Sequence, residues 1–179
     1  MDALVSLGKE VVGVDLRASR LEIASIFLKP HRSHLIRASI GALPFRPGVF
    51  SAVICYGVIM YVDGEEAVKE ISRASCQRAA LYLCWNSIGW SLRMLLSSGY
   101  TLDAKKQALQ TILNTLLKRR GTRYYSRAAM NSILTASGFK VLAVDSEGLI
   151  ALEGTKRSPI YKKGPWGMDN VLEALAMRN

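Results

Sequence analysis

The sequence predicts an α/β fold whose mostly parallel sheet closes in an antiparallel C-terminal hairpin. Three observations carry that prediction. Short β-rich runs alternate with helical patterns along most of the 179 residues, the signature of stacked βαβ units. The run "SAVICYG" (51–57) is almost continuously apolar, as a strand covered on both faces is. Two late runs, "FKVLAVD" (139–145) and "GLIALEGT" (148–155), are separated only by a short turn around Ser146–Gly148. Parallel neighbours need a crossover of about a dozen residues or more, so this pair must be antiparallel.

Taken in order, "ALVSL" (3–7) is a short helical piece closed by Gly8, a common helix stop. "EVVGVD" (10–15) is the first strand. "ASRLEIASIFLK" (18–29) places apolar residues at 21, 23, 24, 27 and 28 on a helical face and halts at Pro30. "SHLIRAS" (33–39) is the second strand, and "GALPFRPGVF" (41–50) is punctuated as loop. After the strand at 51–57, "GEEAVKEISRAS" (64–75) is an amphipathic helix with acids in its first turn, where they favour the helix dipole. "AALYLCWN" (79–86) is a further strand. Residues 87–120 hold two helical patterns with no strand between them. Ser126 caps "RAAMNSILTAS", which ends at Gly138. The body of the fold is thus expected over 1–157 with a helical insertion at 87–120. The segment 158–179 is expected as a tail with a short helical end, "MDNVLEALAMR".

Composition narrows the function classes. Half the residues are hydrophobic and 21% are charged, which fits a globular chain long enough to bury a core. The longest apolar stretch, "SAVICYGVIMYV", falls well short of the roughly 20 residues of a membrane-spanning helix. "MDALVSLGKE" has no basic leader and no apolar signal core, so a cytoplasmic location is the expectation. Cys55, Cys76 and Cys84 form no CxxC pair and read as small buried hydrophobes in a reducing compartment. His31 and His34 are the only histidines, too few for a convincing metal site. The net charge of +10 is spread along the chain, with local clusters at 118–127 and 156–163. Such a surface suits nucleic acid, anionic lipid or an anionic substrate, and equally a protein that simply runs basic.

In open α/β sheets ligands bind outside the carboxyl ends of the strands. Asp15, at the end of the first strand, is placed either to accept two ribose hydroxyl hydrogens or to cap the helix that follows. At this point the residues resemble the class I S-adenosylmethionine-dependent methyltransferases of the small-molecule type. "VVGVDLRASRLEIA" is similar to that family's strand ending in an acid, and "ALPFRPGVF" to its "LPF" loop. "AVICYGVIMYVDGEEAVKEISR" is similar to the strand and helix that follow, and "YYSRAAMNSILTASGFKVLAV" to the late helix, Gly-Phe and strand. The resemblance implies a Rossmann-like sheet. It implies S-adenosylmethionine as cofactor, with Asp15 on the ribose and Leu16 near the adenine. Ser39 stands where the family usually has an Asp, Ile40 covers the ring, and Cys55, Tyr56 and Gly57 line the methionine end. Tyr61 takes the place of a usual histidine, and "SCQRAA" (75–80) that of a Gly-Gly turn. The family's first strand and glycine-rich loop have no counterpart here, because "MDALVSLGKEVVGVD" matches the stretch after that loop. A truncated chain, a degenerate relative and a strand supplied by a partner chain are the three explanations. Without that strand, the strands at 10–15 and 51–56 must pair directly or leave backbone groups unpaired.

The acceptor residues are less marked. Tyr61, Tyr124 and Tyr125 are candidates for a substrate pocket, with ordinary packing as the alternative. Glu65 and Glu66 read as solvated dipole partners. The apolar helical pair at 87–120 suits a lid over an apolar substrate, a homodimer surface or core packing. The expected function is methyl transfer to an O, N or C nucleophile of a small-molecule or lipid-like acceptor. The alternative is a non-catalytic methyltransferase-like binding module associated with RNA, and a dinucleotide-dependent oxidoreductase is a weaker rival.

Overall fold

In the computed structural model, residues 8–28, 33–119, 121–150, 160 and 163–179 are described. The expected helical piece at 3–7 therefore lies outside the described residues. The chain divides into two compact units, Met1–Phe45 and Arg46–Asn179.

The first unit is a βαβ. Strand β1 (Val11–Asp15) is followed by helix α1 (Ala18–Leu28) and strand β2 (Ser33–Arg37). The strands run parallel, in register from Val11 opposite Ser33 to Asp15 opposite Arg37. The asymmetry of α1 is weak: Leu28 is buried, whereas Ile23, Ile26 and Phe27 are exposed.

The second unit is built on a four-stranded sheet. Strand β3 (Phe50–Tyr56) leads through a 3-10 turn (Ile59–Tyr61) into helix α2 (Gly64–Ala74) and strand β4 (Ser75–Asn86). Helices α3 (Ile88–Leu96), α4 (Leu102–Leu116) and α5 (Arg127–Ala136) come next, then strand β5 (Phe139–Ser146). A 3-10 turn (Pro165–Gly167) precedes the final strand, β6 (Val171–Arg178). The strand order is β3-β4-β6-β5. β3 and β4 are parallel, and β6 runs antiparallel to both β4 and β5. Helix α2 packs on β4 and on α5, α5 packs on β5, and α3 packs on α4. Ile59, Val68, Ile71, Leu83, Trp85 and Phe139 are among the fully buried core side chains. The Trp85 indole is satisfied there by the Tyr125 carbonyl at 2.8 Å.

Two sequence expectations are corrected. The end of the chain, expected as a helix, is β6. Its Ala, Leu, Glu and Met are good helix formers, but β4 and β5 take up its backbone groups on both sides and its first four residues are buried. Tertiary context overrides propensity here. The antiparallel partner of β5 is therefore β6 rather than the run at 148–155, where residues 147–148 form a turn and 151–155 lie outside the described residues.

Strand β4 is longer than its apolar run because it starts immediately after α2. The Ser75 hydroxyl bonds back to the Ile71 carbonyl at 2.7 Å, and the ladder with β3 is irregular between Phe50 and Ala52. Arg78 sits there at φ 63°, in the left-handed region that glycine enters at least cost. The stretch "SCQRAA" thus makes without glycine a bend of the kind a Gly-Gly turn makes easily.

Candidate functional site

In the first unit, Asp15 ends β1 with both carboxylate oxygens engaged. Oδ1 accepts the Arg17 amide at 2.8 Å, and Oδ2 lies 3.6 Å from the Arg20 guanidinium. The carboxylate therefore steers the chain into α1, and its remaining lone pairs stay open to further donors. Leu16 is exposed, with its carbonyl accepting Arg37 Nε at 3.0 Å. Ser39 is exposed, Oγ accepting the Gly41 amide at 3.3 Å, and Ile40 is half-buried beside it. Asp15 and Ser39 thus place oxygen acceptors just past the carboxyl ends of β1 and β2.

In the second unit, the residues at the end of β3 divide by face. Cys55 points into the core, and burial pushes its thiol up to about 12, so it is an inert packing group. Gly57 adopts φ +66° with open space where a side chain would stand, and its amide bonds the Cys84 carbonyl at 2.9 Å. A ligand can approach this backbone closely. Tyr56 lies on the opposite face from Cys55, and its hydroxyl donates to Glu147 Oε1.

That contact belongs to a buried polar band. Glu147 and Glu173 are 2% and 4% exposed. Glu173 accepts the Tyr82 hydroxyl at 2.7 Å and the Ile150 amide at 2.8 Å. Burial drives the Tyr82 hydroxyl and the Cys84 thiol toward their neutral forms, and the two glutamates reinforce the shift. Glu147 Oε2 is buried with no hydrogen-bond partner among the described residues, which leaves one acceptor open within the band. Neither glutamate was singled out from the sequence. For Glu147 the available signal was an acid directly after an apolar strand, the same signal that marked Asp15; Glu173 lay in a stretch read as helical.

Beside the band, Asp169 fastens the C-terminal segment to the end of β5. It accepts the Ser146 hydroxyl, Arg127 Nη2 at 2.9 Å and Lys163 Nζ at 3.0 Å. Burial pushes its carboxyl up, but these three donors outweigh it and hold the group at about 2.

The three candidate tyrosines have different surroundings. Tyr61 is exposed and, with Val62, Asp63, Glu66, Gly121 and Arg123, lines a cavity of about 360 Å³. That volume is within the range of small-molecule sites. Arg123 is fixed there by its amide on the Met60 carbonyl at 3.0 Å and by Nη2 on Asp63 Oδ2 at 2.8 Å. Asp63 Oδ1 also caps α2 through the Glu65 and Glu66 amides at 3.0 and 3.2 Å. Tyr124 instead bonds Ser91 through its hydroxyl, and burial pushes that hydroxyl upward. Tyr125 is buried, its oxygen accepting the Gly64 amide at 2.8 Å.

Comparison with known proteins bears on the fold and on one segment of the sequence. Residues 1–83 match the family model described as a methyltransferase domain. The fold is that of S-adenosylmethionine-dependent methyltransferases of known structure. One from Methanosarcina mazei is 14% identical, with a TM-score of 0.66 over 98% of this chain and 85% of its own. Geranyl diphosphate C-methyltransferase from Streptomyces coelicolor is 16% identical, with a TM-score of 0.67 over 99% of this chain and 65% of its own. A third, from Mesorhizobium loti, is 14% identical, with a TM-score of 0.65 over 93% and 79%. No curated protein matches the sequence. The matched segment and the shared fold agree with the resemblance to class I methyltransferases read from the residues.

Proposed function

We propose that this protein is an S-adenosylmethionine-dependent methyltransferase acting on an O, N or C nucleophile of a small-molecule or lipid-like acceptor. The observation that carries the reading is Asp15, a carboxylate at the carboxyl end of β1 inside the matched methyltransferase segment. Asp15 and Ser39 hold the ribose and the adenine edge, with Leu16 and Ile40 against the ring. Cys55, Tyr56 and Gly57 form the methionine end, chiefly through backbone. Bound there, S-adenosylmethionine supplies an electrophilic methyl group. Tyr61 and Arg123 receive the acceptor in the cavity beside them and orient it, which is the main demand of an in-line transfer.

Calorimetry with S-adenosylmethionine and with its demethylated product tests the reading. Saturable heat is expected for both, and its absence at millimolar ligand would remove the enzyme and leave the binding-module alternative. Asp15→Asn keeps an oxygen for the Arg17 amide and loses the charge. It is expected to weaken cofactor binding about tenfold or more, with little change in melting temperature.

A further inference from the structure

Helix α4 is built with its apolar side outward. Ala108, Thr111 and Asn114 are its buried residues. The Thr111 and Thr115 hydroxyls bond back to the Gln107 and Thr111 carbonyls at 2.8 Å, and Asn114 Nδ2 reaches the Thr122 carbonyl at 3.4 Å. Leu102, Leu109, Leu113 and Leu116 are exposed, the first and last at 69%, and Leu117 just beyond the helix is exposed as well. At about 100° per residue these five leucines fall within one arc roughly 100° wide, opposite the buried positions. Core packing, one of the three sequence-level readings of this segment, does not account for them.

The charges around the arc are one-sided. Lys105 borders it, Lys106 falls within it toward Leu117, and Lys118 and Arg119 follow it, against the single acid of the segment, Asp103, which is 3.8 Å from Lys106. A second copy of the chain would lay basic groups on basic groups in either helix orientation. A polyanion such as RNA would meet the cations but not the leucines. An anionic bilayer surface satisfies both, since acyl chains accept the leucines and acidic headgroups the cations. Among the described residues no helix is long and apolar enough to cross a membrane, so the contact is peripheral. We propose that the leucine face of α4 docks this protein on anionic lipid. The proposal does not depend on the methyltransferase reading.

The test is co-sedimentation of the full chain with phosphatidylcholine vesicles, with and without phosphatidylglycerol. Binding is expected to the anionic vesicles and to fall with salt. Leu109→Glu/Leu113→Glu and Leu113→Glu/Leu116→Glu change exposed positions and are expected to keep the wild-type circular dichroism while lowering binding at least about tenfold. Lys118→Glu/Arg119→Glu is expected to weaken binding to the anionic vesicles only. No binding to either vesicle, or binding that the leucine variants leave unchanged, overturns the proposal. So does a leucine-dependent dimer in sedimentation velocity without vesicle binding, or retention on RNA with none on lipid.

Discussion

Helices α2 and α4 share a periodic apolar pattern and use it in opposite senses. α2 turns Ala67, Val68 and Ile71 into the core and leaves Glu65, Glu66 and Lys69 to solvent, with the partly buried Glu70 and Arg73 paired at 2.7 Å. α4 buries Ala, Thr and Asn and presents leucines outward. Periodicity therefore shows that a helix has two faces. The neighbouring elements decide which face turns in. For α2 these are β4 and α5, which need apolar cover; for α4 the neighbour is α3.

The contrast yields measurable consequences. Ile71→Ala removes side-chain volume from a fully buried site and is expected to cost about 2–5 kcal/mol in urea unfolding. If it cost no more than a surface substitution, α2 would not be the core helix described. The caps come next. Asp63→Ala and Thr101→Ala each remove an N-cap bond, worth about 1 kcal/mol, but only the first should respond to pH. Burial raises the Asp63 carboxyl, while the Glu66 amide and Arg123 outweigh that and hold it below its ordinary 3.8. Its contribution is present above the unfolded value and is lost as pH falls through the folded one. The gap between wild type and Asp63→Asn should therefore close on acidification below about pH 4. Thr101→Ala should keep a constant offset in the same titration. The smallest effect is Leu109→Ala, expected within about 0.5 kcal/mol of wild type; a loss of several would mean that the leucine face is covered within the chain.

Most of the fold was legible because β1, α1, β3, α2 and α5 each carry their own boundaries in local chemistry. The Gly and Pro punctuation, the acid at the end of β1 and the Ser126 cap, which accepts the Ala129 amide at 3.1 Å, are examples. β6 was not legible. "VLEALAMR" is locally a helix, and only partners far away in sequence make it a strand. The site divides along the same line. Asp15 and Cys55–Gly57 could be read from strand ends alone. Glu173 and Arg123 owe their burial or pairing to residues brought together by the fold, so no local pattern marked them. Tyr124 and Tyr125 could be read either as pocket or as packing residues beside a basic run, and their hydroxyls bond Ser91 and Gly64.

The position of β6 also sets an order of assembly. β3 and β4 are connected through a single helix and can find each other early. β4 and β5 are neighbours only through β6, whose Met177 lies opposite Ala80 across most of the second unit. Pairings so distant in sequence are slow to form. Until β6 arrives, the inner edges of β4 and β5 stand as open strand edges, the state in which such a sheet is most exposed to self-association. Newly made chains should therefore depend on chaperones, or on dilution, during the interval before the last strand docks.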